Sequence, residues 1–233
     1  MVILALHGFL GRGSDWDFLR EAGFEVEAPD LFGVIPSVSE GPGRVGSEDV
    51  ASRTAQPPRS LATLGMTGGH DVVLGYSMGG RLALHLANKA KLAIIISAAI
   101  TPGDAARRER DEAWAKRFEH DRWDDLLRDW NAQPLFGGHQ VLRREEDFDR
   151  RALAAALREW SPAVLIPPNL TTINTRVLWI AGEHDRHYVE EGERAVSLLP
   201  DATLAIVEGA GHRVPFEKPQ AVVDLLRAAL AGR

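Results

Sequence analysis

Gly75-Tyr76-Ser77-Met78-Gly79-Gly80 is the stretch that most narrows what this chain can fold into. It stands between a β-branched run at 71–75 and a stretch at 79–90 in which Leu82 and Leu86, and Ala83 and Ala87, recur at helical spacing. A serine presented on so abrupt a strand-to-helix turn has a strained backbone. Glycine on both sides removes the Cβ atoms that would collide there. The turn also sets Ser77 at a helix N-terminus, whose dipole favours developing negative charge. The context therefore reads as an activated nucleophile rather than an incidental serine in a glycine-rich turn.

The same alternation runs through most of the chain. Strand-like runs at 2–6, 24–28, 71–75, 92–97, 177–181 and 202–207 are interleaved with helical stretches, among them 15–21, 79–90 and a closing helix at 219–230. Continuous apolar strands separated by helices imply an α/β fold with a mostly parallel sheet covered on both faces. Ligands of such sheets bind beyond the carboxyl ends of the strands, and every motif singled out here follows a strand. Two segments break the rhythm. Residues 36–69, rich in Gly, Pro, Ser and Thr, read as a long loop with one short helix near Leu61. Residues 102–170 lack strand signals, carry four of the six tryptophans, and show helical stretches at 105–118, 123–130 and 148–160. Inserted between two strands, they predict a helical cap (102–170) over a core made of 1–101 and 171–233.

A serine hydroxyl needs a base. His212, in Gly209-Ala210-Gly211-His212, follows the last strand, and Asp185, in Gly182-Glu183-His184-Asp185, follows the one before it. Asp185 would accept from His212 Nδ1 and fix its tautomer, leaving Nε2 to face Ser77. Glu183, His184 and His187 lie close by. His184 and His187 read as solvated loop residues, the competing reading being a metal set of His184, Asp185 and His187 without a further ligand cluster. After the first strand comes His7-Gly8-Phe9-Leu10-Gly11. By position, the N–H groups of Phe9 and Met78 form the oxyanion hole that acyl transfer requires, and His7 is a structural hydrogen-bonding residue.

Composition excludes other classes. The chain has no cysteine, so neither a disulfide nor a thiolate metal site is available, which suits a reducing cytoplasm. A net charge of −6 argues against a nucleic-acid partner. No basic, leader-like segment precedes the first strand, and the longest apolar run, 92–100, is too short to cross a membrane. The sequence lacks the dinucleotide and nucleotide fingerprints, so no cofactor is expected.

With these residues placed, the sequence resembles the α/β-hydrolase superfamily over nearly its whole length, including the chain order Ser, Asp, His. More narrowly it resembles the 2-succinyl-6-hydroxy-2,4-cyclohexadiene-1-carboxylate synthases of the menaquinone pathway. Residues 7–16 (HGFLGRGSDW), 75–84 (GYSMGGRLAL), 115–118 (AKRF) and 129–136 (DWNAQPLF) carry that likeness, the last most specifically. A start directly at the His-Gly strand, without a preceding hairpin, is a further likeness. The resemblance implies a lyase: the triad serine takes a proton from the substrate ring and pyruvate leaves by elimination. The substrate bears several carboxylates, which arginine forks suit. The matching pocket positions are Tyr76, Arg81, Arg117 and Trp130. On their own terms, Arg81 reads as a surface helix residue, although its place one turn from Ser77 points it toward the pocket rim, Arg117 as part of a solvated arginine-rich face with Arg107, Arg108 and Arg110, and Trp130 as cap core. The chain departs from the family at 36–69 and at 142–151 (LRREEDFDRR), where either Arg143, Arg144 or Arg150 stands in for the family's further cap arginine or that contact is gone. The competing function is a carboxylesterase or related acyl hydrolase. A non-catalytic receptor on the same fold is disfavoured by the intact triad and glycine motifs.

Overall fold

A computed structural model of the chain describes residues 1–32 and 69–232. The stretch read as a long loop at 36–69, with its short helix near Leu61, lies almost wholly outside the described residues. Six strands form one sheet: β1 (Val2–Leu6), β2 (Glu25–Glu27), β3 (Val72–Tyr76), β4 (Leu92–Ile96), β5 (Arg176–Gly182) and β6 (Ala202–Val207). Their order is β2-β1-β3-β4-β5-β6, and every pairing is parallel, with Ile3 beside Val72, Val72 beside Leu92, Leu92 beside Arg176 and Val177 beside Ala202. From β1 the chain winds to one edge, then crosses back so that β3 lies on the other side of β1. The crevice beyond the carboxyl ends of β1 and β3 is thus the switch point where such sheets take ligands.

The central strands are buried on both faces, hence their unbroken apolar runs. Leu4, Leu6, Val73, Ala93, Ile95 and Trp179 point to one side and Ile3, Ala5, Leu74, Ile94, Ile96 and Ile180 to the other. The first side is covered by α2 (Met78–Leu86) through Leu82 and Ala83. The second is covered by α1 (Asp17–Glu21) through Leu19, and by the final helix through Val222, Val223 and Leu226.

Between β4 and β5 the chain forms α3 (Ala105–His120), α4 (Trp123–Asn131) and α5 (Arg150–Glu159), close to the helical stretches expected from sequence. Phe118, Leu126, Leu153 and Trp160 join the same apolar cluster as the first face of the sheet. Arg158 on α5 reaches both Glu112 (2.7 Å) and Glu119 (2.6 Å) on α3. Arg150 donates to the Phe118 and Asp121 carbonyls at the C-terminus of α3, satisfying groups the helix leaves unpaired.

After β5 comes α6 (Arg186–Leu198), and after β6 come α7 (Val214–Glu217) and α8 (Pro219–Ala231). In α6, Glu191 is wholly buried and accepts from the Ile100 N–H (2.7 Å), the Thr101 N–H (3.0 Å) and the Thr101 hydroxyl (2.6 Å). Burial works to raise its carboxyl pKa, but the donors from Thr101 and Ile100 outweigh it and hold the group below its ordinary value.

Candidate active site

Ser77 occupies the turn between β3 and α2 with φ +53° and ψ −113°, a conformation costly for any residue with a Cβ. The flanking glycines show why the turn can form. A Cβ on Gly75 would lie 2.7 Å from the Gly80 nitrogen, and one on Gly79 would lie 2.5 Å from the His7 carbonyl oxygen. The second contact also packs the turn against the end of β1, bringing the His7–Gly11 loop beside Ser77.

Three side chains distant in sequence meet here. The Ser77 hydroxyl lies 3.1 Å from His212 Nε2, and His212 Nδ1 lies 2.7 Å from Asp185 Oδ2. A carboxylate can only accept, so Nδ1 carries the proton and Nε2 is left to accept from the serine. His212 and Asp185 are buried, while Ser77 is half-buried. The loops that bring the acid and the imidazole together are joined by backbone bonds from His184 to Ala210 (2.8 Å) and from Glu183 to Val207 (3.0 Å). Gly182 permits that approach: a Cβ there would lie 2.5 Å from the Ala210 carbonyl oxygen. His184 and His187 are exposed, and the Glu183 carboxylate accepts from the Gly209 N–H.

Two neighbours of His212 escaped sequence reasoning. Glu217 accepts from the Gly211 N–H (2.7 Å) and the Arg213 N–H (2.9 Å), fixing the backbone on either side of the imidazole. The Tyr188 ring lies 4.4 Å from the imidazole, centroid to centroid, and burial pushes its phenol pKa up. The signal for Glu217 was present as a carboxylate five residues past His212 on a forming helical turn. For Tyr188 no sequence signal exists beyond its closeness to Asp185.

The cavity in front of Ser77 is lined by Phe9, Tyr76, Met78, Arg81 and Trp130, all five of them expected. The N–H groups of Phe9 and Met78 donate to no protein acceptor among the described residues. His7 is buried; its Nε2 accepts from the Leu31 N–H (2.9 Å), so Nδ1 donates to the Gly8 carbonyl (2.8 Å), and burial lowers its pKa. It is a structural residue. Trp130 packs on Phe9, with ring centroids 4.8 Å apart. Arg81, 7% exposed, donates to the Trp160 carbonyl through Nη2, while Nη1 is buried without a partner among the described residues. Burial pulls its pKa down to about 10, which leaves it charged at neutral pH.

Arg117 stands apart from the other expected residues. It does not line this cavity. Its guanidinium is held by Asp121 (2.6 Å) and Asp129 (2.7 Å) and lies 4.8 Å from the centre of the Trp114 ring. Asp121 lies one helical turn past Arg117 and Asp129 on the neighbouring helix, and together they hold the fork away from the cavity. Of the three alternatives at 142–151, Arg143 reaches the cavity; Arg144 and Arg150 do not. Arg143 pairs with both oxygens of Asp15 (2.8 and 2.7 Å) and donates to the Leu10 carbonyl (2.7 Å).

Five guanidinium groups line the cavity, those of Arg81, Arg107, Arg110, Arg143 and Arg213, against the carboxylates of Asp15 and Asp111. Arg107 pairs with Asp111 and Arg143 with Asp15. Arg81, Arg110 and Arg213 have no carboxylate partner among the described residues. Among the described residues the space therefore combines a hydroxyl poised on an imidazole, two N–H donors without a protein acceptor and surplus positive charge, an arrangement suited to moving a proton or an acyl group on an anionic molecule.

Known proteins resemble this chain in sequence and in fold. A 2-succinyl-6-hydroxy-2,4-cyclohexadiene-1-carboxylate synthase of Klebsiella pneumoniae is 30% identical over 250 aligned positions, covering 99% of this chain and 94% of that one. The synthase of Serratia proteamaculans is 29% identical, covering 99% and 93%. Among solved structures, MenH from S. aureus superposes with a TM-score of 0.77 at 22% identity, covering 100% of this chain and 94% of that one. A thermophilic esterase from Thermogutta terrifontis, solved with malate bound, gives 0.73 at 20% identity, covering 100% and 90%. The pattern of the alpha/beta hydrolase family matches residues 2–225, and the chain belongs to that family.

Proposed function

We propose that this protein is a lyase that eliminates pyruvate from an enolpyruvyl cyclohexene polycarboxylate, as a 2-succinyl-6-hydroxy-2,4-cyclohexadiene-1-carboxylate synthase. Relatives of nearly equal length carry that name. The observation that carries the reading is the surplus of guanidinium groups around Ser77, which suits a substrate with several carboxylates.

In this reading Ser77, His212 and Asp185 are the catalytic triad. His212 draws the proton from the Ser77 hydroxyl, and the serine oxygen removes a proton from the ring carbon that bears the succinyl group. That proton lies next to a ketone, so charge gathers on the ketone oxygen, and the N–H groups of Phe9 and Met78 receive it. The electron pair then forms a ring double bond to the neighbouring carbon, the double bond already in the ring shifts by one position, and the carbon–oxygen bond to the enolpyruvyl group breaks; pyruvate leaves as its enolate and takes up the proton held on the His212 imidazolium, which restores the neutral triad. Asp185 stabilises the imidazolium that forms on the way. Tyr76, Arg81 and Trp130 contact substrate, and residues 102–170 act as a cap over the core of 1–101 and 171–233. The reaction needs no cofactor, and a cysteine-free chain suits the cytoplasmic location adopted with it.

The test is pyruvate release from the enolpyruvyl substrate, with loss of about 10³-fold or more in Ser77→Ala. Esterase function is the second reading, because the turn at Ser77 with two free N–H donors also suits acyl transfer. Rapid turnover of short p-nitrophenyl esters without pyruvate release would establish that function in place of the lyase.

A further inference from the structure

Arg213 is a buried cation with no ion-pair partner among the described residues. It is 5% exposed, lines the cavity and directly follows His212. Its Nη1 donates to Asn131 Oδ1 (2.7 Å) and to the His139 carbonyl, and its guanidinium carbon lies 3.7 Å from the centre of the Phe136 ring. Its other polar neighbour is the Tyr76 phenol, which burial keeps neutral. The carboxylate of Glu217 acts on it through space but makes its hydrogen bonds to the N–H groups of Gly211 and of Arg213 itself. Neutral acceptors thus fix where the guanidinium sits, and no carboxylate among the described residues pairs with it directly. Keeping an unbalanced charge out of water is costly, and the cost is recovered where a ligand brings the missing anion.

Arg81 is in the same condition on the other partner of the hydrogen bond: it sits one helical turn past Ser77, and it too has no carboxylate partner among the described residues. Each end of the Ser77–His212 pair therefore carries one unpaired guanidinium close by in sequence.

We propose that Arg213 is a substrate-binding residue that takes one carboxylate of a dianionic ligand whose other carboxylate meets Arg81, and that it thereby selects dicarboxylates over neutral molecules of the same shape. The proposal rests on reading this cavity as the site of a carboxylate-bearing substrate. Asn131 and Phe136, both in the 129–136 stretch, hold the guanidinium for that purpose, which gives this stretch a role beyond packing.

Trp114 and Trp130 line the cavity, so tryptophan fluorescence reports its occupancy. Purified wild type, Arg213→Met and Arg213→Lys are titrated with succinate and, separately, with uncharged succinamide. Wild type is expected to prefer succinate by about tenfold or more, Arg213→Met to lose about 10- to 100-fold in succinate affinity with succinamide unchanged, and Arg213→Lys to recover part of the loss. A merely structural role would weaken both ligands together, and that result overturns the proposal, as does succinate binding in Arg213→Met equal to wild type. If Arg213→Met does not fold, Arg213→Gln is read in the same way, and a wild-type protein without preference for the dianion overturns the idea alone. Pyruvate release is scored separately. Arg213-dependent succinate binding without pyruvate release removes the lyase reading and keeps this one. Lyase turnover with unchanged kcat/KM in Arg213→Met removes this one and keeps the lyase.

Discussion

Replacing Gly182 by alanine adds one methyl group to a residue that does not line the cavity. Gly182 ends β5 three residues before Asp185, and its new Cβ would lie 2.5 Å from the Ala210 oxygen and closer still to that of Gly211, where real Cβ contacts essentially never fall below 3.0 Å. Both obstacles are backbone and cannot rotate away. The loop that carries Asp185 and the loop that carries His212 must therefore part, by roughly half an ångström to one ångström. The Ser77–His212 contact is already 3.1 Å, and a shift of that size takes it to or past the limit of a hydrogen bond. A displacement of about 1 Å at a reacting group lowers turnover about 10²-fold. The overpacking itself costs about 1–3 kcal/mol, several degrees in Tm for a chain of this size. Pyruvate release measured under kcat/KM conditions, beside a thermal melt, reads both effects. If Gly182→Ala keeps wild-type turnover within about twofold while melting as wild type does, the close approach of the two loops is not what sets the imidazole.

Two further outcomes are expected. Arg117→Ala should leave pyruvate release within about threefold of wild type and lower stability by at most about 1 kcal/mol, because its partners Asp121 and Asp129 are partly exposed; loss of turnover would mean that this arginine reaches substrate after all. The pKa of His7 lies below its free value of 6.5 through burial, so as pH falls through 6.5 the unfolded chain takes up a proton that the folded one does not, and stability declines from there downward. Denaturation of wild type and His7→Gln at pH 7 and pH 5 should show the smaller loss in the variant, and equal losses refute the assignment.

The parts that local chemistry dictates were legible in advance. The strand runs, the turn at Ser77 and the loops of Asp185 and His212 each depend on neighbours within a few residues, so their pattern survives in the linear order. The pairing of Arg117 was not legible because its orientation depends partly on Asp129, twelve positions away on another helix. Arg213 was passed over because nothing in Gly211-His212-Arg213 tells that Asn131 and Phe136 come to meet it. Arg143 stood among three equivalent candidates until Asp15, far off in the chain, singled it out. Long-range charge pairing leaves no periodicity to read.

The carboxylate of Glu191 joins two regions that perform different tasks. It grips Ile100 and Thr101, where the chain leaves the sheet for its helical excursion, from a helix whose first turn is begun by Asp185. The hinge of one and the footing of the other are thus a single joint. Loosening it would surface in kinetics as a defect of the acid, and a search confined to the cavity walls would overlook the origin.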